Sequence, residues 1–145
     1  MIQRIQSIYL LLASACSFAL FKLPFASVEA TVSPSSIFEN DTVFNLNDNI
    51  GLLIIYVISG LVSLAAIFLF GDRKKQILVA KAAVYANIVG ILFASFVLFS
   101  DAGTGTSLSY GMGLIAVILS IILILLALKA ISNDQKLVSE SDRLR

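Results

Sequence analysis

The sequence predicts an all-α membrane protein: a four-transmembrane-helix bundle built from a single domain over residues 1–145, with N and C termini cytoplasmic. Three observations carry this. Residues 102–128 contain no Asp, Glu, Lys or Arg, and their second half, from Gly113 onward, is almost unbroken Leu, Ile, Val and Ala. A helical run of about 20 apolar residues crosses the roughly 30 Å hydrocarbon core of a bilayer. The chain is 59% hydrophobic and 13% charged, with mean hydropathy +0.98, against about 45–50% and about 25% in soluble domains. Finally, the basic residues alternate by segment, as they do when short Lys- and Arg-rich loops are retained in the cytoplasm.

The first helix is expected over residues 5–23, an apolar run that follows Arg4 and ends before Pro24. The same stretch has the parts of a secretory signal: a basic start, an apolar centre and a small-residue site at Phe25-Ala26-Ser27. Ala13-Ser14-Ala15-Cys16 loosely resembles a lipoprotein signal, with Ala where Leu is usual. A retained helix is the expectation. Residues 24–49 form an outer loop carrying Glu29, Glu39, Asp41 and Asp48 but no Lys or Arg. Its apolar pairs on either side of Asn40-Asp41 suggest a small β-hairpin in this first outer loop. Asn40-Asp41-Thr42 also fits an N-glycosylation pattern, although a turn explains it as well.

The second helix is expected over 50–70, stopped by Gly71 and the basic run Arg73-Lys74-Lys75. The third follows over 77–99. A loop with Gly103 and Gly105 leads to the fourth, over 110–131, and a polar cytoplasmic tail, 132–145, holds Leu137, Val138 and Leu144 at spacings that could prolong a helix. With this layout nine of the ten basic residues share one side, and the outer loops hold only acids. Lys22 is the exception, and its four-carbon stem can reach the interface. Tyr9, Tyr85 and Tyr110 fall near span ends, where amphipathic rings favour the headgroup region.

Composition also narrows the chemistry. There is no His, the commonest general base and metal ligand, and the one cysteine, Cys16, has no partner for a disulfide or zinc site. Net charge is +1, so no global field attracts nucleic acid. The spans hold no acid that would serve a proton relay. No catalytic residue, metal site or cofactor is expected, and membrane lipid is the one partner the composition itself implies.

Three groups of residues stand out. On helix three, Ala82, Ala86, Gly90 and Ala94 recur every fourth position, a small-residue face for close helix packing, with Ser59, Ser63, Ala116 and Ser120 as matching surfaces. Asn87, beside that stripe, should turn into the bundle and bond a carbonyl or hydroxyl, because a lone amide in lipid is costly. Ser14, Ser17, Ser95 and Ser120 can bond their own preceding turn. Arg73, Lys74 and Lys75 could contact anionic lipid headgroups, although determining topology explains them equally well.

The ends are the most distinctive parts. The opening Met1-Ile-Gln-Arg-Ile-Gln-Ser-Ile-Tyr-Leu-Leu-Leu and the ending Asp134-Gln-Lys-Leu-Val-Ser-Glu-Ser-Asp-Arg-Leu-Arg resemble those of a family of small four-helix membrane proteins of Bacteroidota, catalogued as a domain of unknown function. The resemblance implies an inner-membrane location and brings no catalytic residues. It also puts Gln3, Arg4 and Gln6 on the same side as Asp142, Arg143 and Arg145, where they could pair or form a cytoplasmic docking surface.

The reading that follows is a non-enzymatic, multi-pass protein of the bacterial inner membrane, acting as a structural or accessory subunit with a membrane-protein partner. The alternative is a small transporter or channel acting as a homo-oligomer.

Overall fold

The structure, a computed structural model, describes residues 2–29, 42–102 and 108–143, with side chains over 5–29, 42–100 and 109–138. Four helices form a ring: α1 (Ile2–Ala19), α2 (Ile50–Phe68), α3 (Arg73–Ala102) and α4 (Met112–Arg143). α1 packs on α2 and α4, and α3 packs on the same two. α2, α3 and α4 are each long and apolar enough to cross a membrane.

Local chemistry sets the helix ends. α1 stops at Ala19 because the chain then tightens, with Phe21 N donating to Phe18 O (3.2 Å) and Lys22 N to Ala19 O (3.0 Å), ahead of Pro24. Asn49 caps α2, its side-chain oxygen accepting from Gly51 N at 2.9 Å. α3 begins at Arg73, four residues before the expected 77, because Asp72 Oδ1 accepts from Lys75 N at 3.2 Å and caps it. α4 runs on past 131 to Arg143, since no Gly or Pro follows Ile131. At 1.5 Å per residue, α3 and α4 are about 45 and 48 Å long, more than the roughly 30 Å of a hydrocarbon core. Their overlong ends are joined by Arg73 and Asp134 at 3.0 Å.

At the opposite end the α1–α2 and α3–α4 connections share a three-stranded antiparallel sheet, ordered β2-β1-β3, from β1 (Ala26–Val28), β2 (Val43–Phe44) and β3 (Leu108–Tyr110). The α1–α2 connection thus does pair with itself, but through Ala26↔Phe44 and Ser27↔Val43. The apolar pair before Asn40-Asp41 and that turn itself, on which the glycosylation pattern falls, lie outside the described residues. The third strand comes from the loop before α4, where sequence reading placed no strand. Gly111 seals this junction. Its N–H donates to Phe25 O at 2.8 Å, and a Cβ there would collide with Pro24 O.

The outer surface is apolar and the centre is partly polar. Leu78, Leu92, Phe96 and Phe99 of α3 and Ile115, Ile118 and Ile122 of α4 are exposed, while Ser14, Ser17, Ser59, Ser63, Asn87 and Ser120 are buried. That inversion suits lipid rather than water.

Candidate functional site

Two apolar clusters divide the interior. One, at the sheet end, includes Leu20, Phe25, Phe44, Leu52, Tyr56, Ala94 and Val117. Leu10, Ala13, Ala66, Ala80, Ala83, Ile124 and Ala127 build the other, at the end where Arg73 and Asp134 pair. Between them all four helices contribute polar side chains to a single buried layer.

The bonds in that layer run across helices as well as along them. Asn87 Nδ2 donates to Ser59 Oγ of α2 at 2.7 Å and to its own preceding turn, Ala83 O, at 2.9 Å. Ser14 Oγ of α1 donates to Gly60 O of α2 at 3.1 Å, and Ser120 Oγ of α4 donates to Ala13 O of α1 at 3.1 Å. Ser17 and Ser120 hydroxyls lie 3.4 Å apart. Ser17 and Ser63 do bond their own preceding turns. Ser14 and Ser120 instead form interhelical ties, an alternative to the own-turn bonds that their positions also allow. A hydroxyl can reach a neighbouring backbone only where helices approach closely, and Gly60, against the Phe18 ring, provides that proximity.

Two buried polar atoms beside this layer have no partner: Tyr56 Oη and Asn87 Oδ1. Tyr56 is fully buried, its ring 5.6 Å from that of Phe25 and pressed against Gly90. Sequence reading missed it while assigning the other three tyrosines to span ends. Its position seven residues into the apolar run of helix two was the available signal, since tyrosine favours interfaces.

The small-residue stripe of α3 is displaced from its expected line. Gly90 and Ala94 are buried, Ala86 is half-buried and Ala82 is exposed. A row of every fourth residue drifts by about 40° per step around a 3.6-residue helix. Three steps back from Ala94, Ala82 has turned outward, and Ala80 and Ala83 take the inner face with Asn87. Among the proposed headgroup contacts, Arg73 is committed to Asp134, Lys75 lies 3.2 Å from Asp72, and Lys74 is exposed.

Of the expected docking residues, Gln6 is 96% buried (4% exposed), which removes it from an outward surface. Gln76 of α3 and Ile131 of α4 are buried as well. The side chains of Gln3, Arg4, Asp142 and Arg143, and all of Arg145, lie outside the described residues. Among the described residues no group of His, Cys, Asp or Glu could hold a metal ion.

A family model described as a domain of unknown function (DUF4293) matches residues 2–144. No curated protein and no solved structure matches the chain.

Proposed function

The chain belongs to the DUF4293 family, and we propose that it is a non-enzymatic, multi-pass protein of the bacterial inner membrane. In this reading it threads the bilayer four times with both ends cytoplasmic, and serves as a structural or accessory subunit of a larger membrane complex. The fourth span is α1, whose 18 residues measure about 27 Å, close to the hydrocarbon thickness. Retention of the basic segments on the cytoplasmic side sets the orientation.

The observation that carries the role is that the hydrogen-bond donors of the polar layer are bonded within the chain. Ser14, Ser120 and Asn87 spend their donors on neighbouring helices of the same chain. Such bonds in lipid average about 0.6 kcal/mol each and fix helix register. That arrangement fits a rigid packing element. A conduit would line its path with groups left open to solute.

One observation favours the alternative, a small transporter or channel working as a homo-oligomer: Tyr56 Oη and Asn87 Oδ1 are buried and unbonded. Cross-linking in native membranes, mild detergent extraction, and identification of the captured chains separates the two. The accessory reading expects a heteromeric complex of fixed stoichiometry. A homo-oligomer that makes liposomes permeable to small solutes would overturn it in favour of transport.

A further inference from the structure

At the basic end, α3 and α4 leave a groove of about 210 Å³ lined by Lys81, Val84, Tyr85, Leu125 and Leu128. Val84, Leu125 and Leu128 make its floor apolar. Lys81 and Tyr85, one helical turn apart and both exposed, form its rim.

The position of the rim matters. No charged residue lies between Lys81 and Ser100 on α3, and on α4 the charge-free stretch that begins at Met112 ends at Lys129. Lys129 is exposed and lies four residues beyond Leu125, on the same helix face. Both lysines therefore stand about one turn or less inside the basic-end termini of the apolar spans, from which a four-carbon stem reaches the headgroup region. The ion pairs formed among the described residues are Arg73–Asp134 and Lys75–Asp72, which leaves Lys81 and Lys129 without acid partners there. Two cations with no acid partner among the described residues, above an apolar furrow, match an amphiphile with a negative head. A soluble anion would gain nothing from the furrow, and a neutral lipid would gain nothing from the second cation.

We propose that this groove binds an anionic phospholipid, with an acyl chain along Val84, Leu125 and Leu128 and the phosphate between Lys81 and Lys129. Tyr85, one turn further into the span than Lys81, offers its ring to the acyl chain. The site differs from the Arg73-Lys74-Lys75 run, whose Arg73 is already tied to Asp134. The inference rests on the bilayer placement proposed above.

Native mass spectrometry of the full chain with dioleoyl phosphatidylglycerol or dioleoyl phosphatidylcholine tests it, using Lys81→Gln, Leu125→Trp and, as a control at the other end, Lys22→Gln. The wild type and Lys22→Gln should retain phosphatidylglycerol in preference. Lys81→Gln should reduce that preference about fivefold, the size expected for one lysine at an anionic surface. Leu125→Trp should fill the furrow and weaken both lipids, while circular dichroism shows the helices intact. No preference in the wild type, or an unchanged one in Lys81→Gln, would overturn the site. So would loss in Lys81→Gln with none in Leu125→Trp, which would leave a surface charge and no bound chain. Alkaline extraction of membranes reads the underlying placement separately: a chain released from the bilayer would overturn that placement and the lipid site with it.

Discussion

Replacing Gly90 by Ala puts the α2–α3 contact to a sharp test. A methyl at that position would stand 2.7 Å from Tyr56 Cζ and 2.8 Å from Tyr56 Oη. Real carbon contacts of that kind begin above 3.0 Å, so something must move. Tyr56 has little freedom to do so: it is fully buried and backed by the Phe25 ring. Inserting a methylene-sized group into a packed interior costs about 1–3 kcal/mol, which lowers the folding equilibrium about 5- to 150-fold. The clash is specific to one ring, so the cost should largely vanish in a Tyr56→Leu background, giving a coupling energy of similar size and opposite sign. Gly71→Ala is the control, because nothing lies within 4 Å of a Cβ there; its stability should be unchanged or slightly higher. Unfolding in mixed detergent micelles, followed by circular dichroism, measures all four variants. If Gly90→Ala cost the same with and without the Tyr56 ring, the close approach of α2 and α3 described here would be refuted.

Other expectations follow from the same geometry. Asn87→Leu removes the donor to Ser59 and should destabilise the bundle by about 0.5–1.5 kcal/mol in the same micelle assay, with Ser59→Ala in the same direction but smaller. Arg73→Ala and Asp134→Ala should show a double-mutant coupling of about 0.5–1 kcal/mol that shrinks as salt rises, since the pair is only partly shielded from water. Gly113→Val places a side chain against Pro24 O, 2.7 Å from where Cβ would sit, and should loosen the sheet from the start of α4, read as faster amide exchange at Ala26–Val28. Asp72 gives a pH dependence. The Lys75 backbone N–H, reinforced by its side chain, holds the Asp72 carboxyl below the ordinary carboxylate value. Its capping of α3 is therefore fully present above that value and fades as pH falls below about 4. Amide exchange at Lys75 and Gln76 should rise over that range and stay flat in Asp72→Ala.

Much of this was legible in the residues. Length and uninterrupted apolarity locate α2, α3 and α4, because a span in lipid needs both and little else does. Asn87 announces its inward direction through the cost of an unbonded amide. Other features were hidden for identifiable reasons. The strict every-fourth-residue reading of α3 ignored helical drift, which carries Ala82 outward and brings Ala80 and Ala83 inward. Strand β3 depends on a partner more than 80 residues away, Ser27↔Ser109 among its pairs, and three residues carry no period that could reveal it. Ser14 and Ser120 could satisfy their hydroxyls within their own helices, so nothing in the sequence marked them as ties to α2 and α1. The burial of Gln6 is equally invisible at a helix end, where polar residues ordinarily face water.

The claim beneath all of this is that the chain crosses the bilayer four times with its basic segments on the cytoplasmic face. A Cys16→Ser protein carrying a single new cysteine at Glu29, Lys74 or Lys136 tests that claim most directly, using a membrane-impermeant maleimide on spheroplasts and on inverted vesicles. The expected result is labelling of position 29 from the periplasmic side alone, and of positions 74 and 136 from the cytoplasmic side alone. Labelling of position 74 on intact spheroplasts would contradict the topology and everything built on it.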